Sequence, residues 1–202
     1  MAVSKLTPGL GIYTDEEFFD QPTCERLKAE MRAGLQTRAK IYDCGWDRVL
    51  DEGKRSTLQV QVSTQTRVFV EERLMARLPT LIRHFKLEAT ECQEPTFLIY
   101  KPGDFFEPHR DLSTDERAPG LVKQRSISAV VFLSEEAAGE GPGEYAGGSL
   151  ALYGLLPDPR CASLGIPVRG KTGMLVAFRS GVFHQVTPVT RGERFTVVSW
   201  FS

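Results

Sequence analysis

The chain has 202 residues, 41% of them hydrophobic and 25% charged, which is enough for one substantial core and short for two, so a single domain over 1–202 is expected. A net charge of −1 gives no general pull toward phosphate backbones, and no nucleic-acid partner is expected. Cys24, Cys44, Cys92 and Cys161 show no C-x-x-C spacing, which argues against a zinc site or a disulfide framework. The opening Met-Ala-Val-Ser-Lys-Leu-Thr-Pro lacks the apolar core of a signal peptide, and no apolar run reaches membrane-spanning length. Cytoplasmic residence without a membrane partner is the expectation, with the oligomeric state left open.

In chain order, residues 10–13 read as a short strand. Asp20 is a candidate N-cap with Pro22 in the first turn, and Cys24, Leu27, Met31 and Leu35 recur at helical spacing. Residues 37–62 are polar and charged until Leu58-Gln-Val-Gln-Val62, which alternates like a half-buried strand. A second helical pattern runs from Arg67 to Leu87, where Pro79 should kink or split it. His84 lies in that helix, far from any ligand spacing, and reads as structural or surface. An apolar strand from Thr96 to Tyr100 breaks at Pro102-Gly103 and resumes as an extended piece carrying His109 and Asp111. In a strand, positions i and i+2 share a face, so one imidazole and one carboxylate converge on a point that suits a divalent metal with mixed N/O preference.

Beyond them, 113–123 reads as a polar loop, and Arg125 to Leu133 as a strand crossing the core. The stretch 134–148 is Gly-rich and acidic and reads as a mobile lip over a site. A strand over Ser149–Tyr153 follows, then a Pro-rich loop over 155–167 and an apolar strand over Gly173–Phe178. The remainder comprises His184, Val186-Thr-Pro-Val189, a turn at Arg191-Gly192 and a last strand from Arg194 to Phe201. Eight or so short strands between Gly/Pro turns describe a β-sandwich or barrel. His184 adds a second imidazole to His109 and Asp111. Two His and one carboxylate form the facial set of non-haem Fe(II), with three positions left for a bidentate 2-oxo acid and dioxygen. Arg194 has a use as well, because its planar fork can pair bidentately with the far carboxylate of 2-oxoglutarate.

The pattern His109-x-Asp111, His184 and Arg194-x-Thr196 resembles the 2-oxoglutarate/Fe(II)-dependent oxygenases, most closely their prolyl 4-hydroxylase-like branch. Tyr100-x-x-Gly103, Gly147-Gly148-x-Leu150 and Gly181-x-x-His184-x-Val186-x-Pro188-Val189 are similar to that branch too, so the resemblance covers residues 10 to 202. Arg194 stands where collagen-type prolyl hydroxylases carry Lys, which places the sequence nearer the bacterial and oxygen-sensing types. The resemblance implies an α+β fold, a double-stranded β-helix (jelly-roll, cupin-like) over 95–202 with helices of 1–90 packed on one outer face. It implies Fe(II) on His109, Asp111 and His184, and 2-oxoglutarate held by Arg194 with Tyr100 and Thr196. O2 is the second co-substrate and ascorbate an accessory reductant.

The activity implied is hydroxylation of a prolyl residue in a protein or peptide, with release of succinate and CO2. Tyr100 reads equally as a core tyrosine, Thr196 as an ordinary strand threonine, and Trp200 as pocket wall or packing. Arg55-Ser56-Thr57 is similar to the Arg-x-Ser region of that branch, but its charged loop reads in preference as a solvated connector. Two other functions stay open. A hydroxylase of a free amino acid or small metabolite would want a closed pocket with a carboxylate clamp, for which Arg125 and Arg179 are candidates, whereas a peptide enzyme needs an open groove with ordering loops at 43–57 and 134–148. A non-catalytic metal-binding module has no need of a buried cation beyond its last ligand, and Arg194 counts against it.

Overall fold

A computed structural model of the chain describes residues 11–137 and 144–202. The larger sheet has seven strands in the order β1 (Ile12–Asp15), β13 (Leu175–Arg179), β9 (Ile127–Phe132), β16 (Arg194–Phe201), β7 (Thr96–Tyr100), β6 (Leu58–Val60) and β2 (Gln36–Arg38). The smaller has five, β12 (Ile166–Val168), β11 (Leu150–Leu152), β14 (His184–Val186), β8 (Phe105–His109) and β5 (Arg55–Ser56). Two short pairs complete the set, β3 (Ile41–Tyr42) with β4 (Arg48–Val49), and β10 (Tyr145–Gly147) with β15 (Val189–Gly192).

Helix α1 (Gln21–Ala33) starts where the Asp20 carboxylate accepts a hydrogen bond from the Thr23 backbone N–H at 2.9 Å, with Pro22 in the first turn, where its missing N–H costs nothing. Its buried stripe is Cys24, Leu27, Lys28 and Met31. Leu35, expected to extend that stripe, lies past the helix end at Gly34 and is 61% exposed. The helical run around Pro79 is split, into α2 (Thr64–Met75) and α3 (Leu78–Phe85), and the proline sits in the first turn of the second piece. The polar loop expected over 113–123 contains one short helix, α4 (Gly120–Lys123).

The period of two in the strands sorts the core into layers. Along β7 and β16, Phe97, Ile99, Phe195 and Val197 point one way and pack against Leu27, Met31, Val70, Leu74 and Leu81 of the helices. On the other face, Val130, Phe132, Val176 and Phe178 of the large sheet meet Leu150, Leu152 and Val168 of the small one. The alternate positions of the same two strands, Tyr100 and Arg194, therefore lie between the sheets, and they are direct cross-strand partners.

Two strand expectations change. Arg191-Gly192 is not a free turn: it belongs to β15, and Gly192, at φ +71°, lets β10 approach so closely that a Cβ would stand 2.0 Å from the Glu144 carbonyl oxygen. The described residues hold sixteen strands instead of eight or so, because connectors contribute two-residue pairs that carry no periodic signal. Of the lip expected over 134–148, residues 138–143 lie outside the described residues.

Candidate active site

Strands β8 and β14 are antiparallel neighbours, and their register places His184 directly opposite His109. A bulge between His184 and Val186 bends this pairing. Asp111 lies just past the end of β8, in a bend tied down by Ser180, whose carbonyl accepts from the Asp111 and Leu112 N–H groups at 3.1 and 3.0 Å. One ligand atom from each of the three residues falls within 4.8 Å of the others.

Both rings are turned the same way. His109 Nδ1 donates to the Glu107 carbonyl at 2.8 Å and His184 Nδ1 to the Val182 carbonyl at 2.9 Å. Each imidazole is thereby set as the tautomer with a free Nε2 lone pair, and those atoms lie 3.7 and 3.5 Å from the Asp111 oxygens. Burial pushes the His109 imidazolium down to about 3, assisted by His184, so the ring stays neutral. Burial alone would raise the Asp111 carboxyl, but the imidazoles of His184 and His109 and hydrogen bonds from Ser128 and Trp200 hold it below the ordinary carboxylate value. The Ser128 bond is 2.6 Å long and comes from β9 of the facing sheet.

At the far wall, Arg194 is 1% exposed, with its guanidinium carbon 4.9 Å from the Tyr100 ring centre and 5.0 Å from that of Phe132. Its Nη1 donates to Thr196 Oγ1 at 3.2 Å, and its Nε has no hydrogen-bond partner among the described residues. No carboxylate pairs with it there. Room for this side chain comes from Gly148, which like its neighbour Gly147 is left-handed, at φ +64° and +67° respectively. A Cβ on Gly148 would stand 3.1 Å from Arg194 Cδ and 2.7 Å from Val189 Cγ2. Beside it, the Tyr145 hydroxyl is fully buried, also without a partner among the described residues, and burial raises its pKa against the opposing pull of Arg194.

These groups share one cavity of about 680 Å3, lined by His109, Asp111, His184, Arg194 and Tyr100, with Leu98, Val130, Leu150, Val186 and Val198 as its apolar walls. Thr196 is fully buried behind Arg194. Trp200 lies on the cavity wall, and Arg125 stacks on its ring at 3.6 Å while donating to Gln93 Oε1 at 3.0 Å. Arg179 points elsewhere, donating to the Phe85 carbonyl, so it is not available as a clamp. His84 packs edge-on against Tyr13 and Phe85.

The connector reading of Arg55-Ser56 is overturned. These residues form β5, paired with β8, and Arg55 lines the cavity with its guanidinium 4.6 Å above the Phe106 ring, which in turn stacks on His109 at 3.6 Å. The strand is anchored by Asp104, whose Oδ1 accepts from Ser56 Oγ at 2.6 Å and Arg38 Nη1 at 3.0 Å. Gly103 at φ +90° makes the turn that presents it. Tyr145 and Ser128 were not singled out from sequence. The available signals were a single aromatic in a Gly-rich stretch and a serine on the inward alternation of an apolar strand.

Residues 95–202 match the family model described as the 2OG-Fe(II) oxygenase superfamily. A PKHD-type hydroxylase of Shewanella sp. (strain ANA-3) is 29% identical over 175 residues, 85% of this chain and 70% of that protein. A crystal structure of a Pseudomonas putida prolyl-4-hydroxylase superposes with a TM-score of 0.66 at 24% identity, over 95% of this chain and 91% of that one. A Trichoplax adhaerens prolyl hydroxylase, in complex with a hypoxia inducible factor oxygen degradation domain peptide fragment, gives a TM-score of 0.70 at 16% identity, over 100% and 87%. At these identities the structural likenesses speak to the fold, which the chain shares with 2-oxoglutarate oxygenases. With the family match spanning more than half its length, the chain belongs to the 2OG-Fe(II) oxygenase superfamily and is an Fe(II)- and 2-oxoglutarate-dependent oxygenase.

Proposed function

We propose that the chain is a hydroxylase of a prolyl residue in a protein or peptide, using 2-oxoglutarate and O2 and releasing succinate and CO2. The observation that carries this is the meeting of His109, Asp111 and His184 in one cavity with a buried guanidinium, that of Arg194, which has no carboxylate partner among the described residues. Two imidazole nitrogens and a carboxylate oxygen suit Fe(II), and the orphaned Arg194 Nε suits an anion. His109, Asp111 and His184 are the assigned iron ligands; Arg194, with Tyr100 and Thr196 around it, is the assigned seat of the distal 2-oxoglutarate carboxylate. The two facing sheets are read as a double-stranded β-helix within one catalytic domain.

Bound there, iron with 2-oxoglutarate and O2 supplies an oxidation that places one oxygen atom in a substrate C–H bond and the other in succinate, with loss of CO2. The protein's part is positioning. Glu107 and Val182 carbonyls aim the imidazoles, Ser128 fixes the carboxylate, Thr196 orients the guanidinium, and the apolar walls exclude water. The prolyl assignment draws support from the prolyl hydroxylases among the structural neighbours and from the cavity's lining, which includes both the buried Arg194 and the exposed Tyr42. Arg125, held on the cavity wall by Trp200 and Gln93, favours a second reading, in which it clamps the carboxylate of a free amino acid. Ascorbate as accessory reductant and a cytoplasmic setting belong to the same proposal. Free cysteines suit the reducing compartment, and no helix among the described residues is long and apolar enough to cross a membrane.

The test is turnover of purified protein with Fe(II), 2-oxoglutarate and O2. Succinate release, and mass spectrometry showing one added oxygen on proline-containing peptides, is the expected result. Absence of succinate overturns the enzyme's assigned chemistry, and oxygen gain on free proline but on no peptide favours the second reading.

A further inference from the structure

Resting on that reading, we propose that the polypeptide substrate is acidic around the residue to be oxidised. Six cationic side chains, Lys40, Arg48, Lys54, Arg55, Arg110 and Arg125, line the cavity between the iron site and its mouth. Among the described residues, Lys54 alone of the six has a carboxylate partner, Asp51 at 3.5 Å. The opposing acids on this wall are few: Glu94 is paired with Arg67 at 2.7 Å, Glu107 is exposed, and Asp111 belongs to the metal set.

A chain with a net charge of −1 has concentrated positive charge on the walls of the cavity that holds its reactive centre. Such a lining raises the local concentration of anions and speeds their capture, and it repels basic segments. The mouth is also built for a chain and not for an isolated anion. Tyr42 and Leu121 are 39% and 62% exposed on its rim, and Tyr42 leans on Trp46 with ring centres 5.9 Å apart. Apolar contacts interleaved with separate cations match a polypeptide whose acidic side chains are spaced by other residues.

The experiment offers the full-length enzyme, with Fe(II), 2-oxoglutarate and O2, three pools of synthetic peptides with a central proline and Asp/Glu-rich, uncharged or Lys-rich flanks. Oxygen gain is read by mass spectrometry and succinate in parallel. The acidic pool should be oxidised fastest at low salt, with the advantage shrinking as NaCl rises. In Lys40→Glu and Arg48→Glu variants, checked for folding by thermal melting, kcat/KM for acidic peptides should fall about three- to fivefold per reversed charge, with Gln variants between.

Oxidation of all pools at equal rates, or fastest on the Lys-rich pool, overturns the inference while the hydroxylase reading stands. Succinate release with no oxygen gain in any pool overturns the peptide substrate and this inference with it. Tighter competition by a single-stranded oligonucleotide than by an acidic peptide lacking proline overturns it in favour of a nucleic-acid ligand.

Discussion

Replacing Gly148 with alanine tests how the proposed co-substrate seat is built. Gly148 has φ +64°, where an alanine costs about 1–2 kcal/mol. Its new Cβ would lie 2.7 Å from Val189 Cγ2 and 3.1 Å from Arg194 Cδ, so both side chains must shift by several tenths of an ångström. Overpacking of this kind adds about 1–3 kcal/mol. A total near ~3 kcal/mol lowers the melting temperature of a domain this size by about 6–12 °C. The guanidinium moves with the Arg194 stem, and loss of about 1.4 kcal/mol from its charged hydrogen bonds raises KM for 2-oxoglutarate about tenfold. Gly147→Ala is the control. Its Cβ would meet backbone, the Pro188 oxygen at 2.4 Å and the Thr190 nitrogen at 3.0 Å, so it should melt lower still without a selective effect on that KM. The assays are thermal denaturation and succinate release as a function of 2-oxoglutarate. A Gly148→Ala enzyme that melts early yet keeps the wild-type KM refutes the link between this glycine and the carboxylate seat.

Tyr145→Phe removes a buried hydroxyl beside Arg194 that has no partner among the described residues; if that hydroxyl also serves the proposed seat, KM for 2-oxoglutarate rises about three- to tenfold with kcat retained, and an unchanged KM shows that it does not. Ser128→Ala frees one Asp111 oxygen and should weaken iron binding about tenfold, read by titrating activity against Fe(II). Asp111→Ala should abolish succinate release, and retained turnover would refute the metal assignment. The metal-free protein should lose stability with acid. The depressed His109 pKa means the unfolded chain binds the extra proton first, so this contribution is present in full above about 6.5 and declines as pH falls toward about 3. A melting temperature flat across that window contradicts the buried neutral ring.

Residues whose role follows from their own spacing were legible in the sequence. Helix α1 shows through its cap and its Cys24-Leu27-Met31 stripe, and Tyr100 and Arg194 through the motifs that carry the family resemblance. Arg55 was not legible, because its place depends on pairing with Phe106, fifty-one residues away, and on Asp104 holding the two strands together. A two-residue strand has no period to detect, and its charges look like solvent exposure. Tyr145 was hidden for a related reason. Its partner in β15 is Gly192, and only the folded sheet reveals that the phenol ends beside Arg194.

Strand β16 is the last of the sixteen to occur along the chain, yet it occupies the middle of the seven-stranded sheet, between β9 and β7. Until it arrives, those two neighbours have open edges, and the two parts of the seven-stranded sheet share no hydrogen-bonded ladder. Arg194 begins that strand. Closure of the sheet and delivery of the proposed anchoring cation are thus a single assembly event, and on that assignment a partly folded chain that has gathered its imidazoles early would still have no purchase on 2-oxoglutarate.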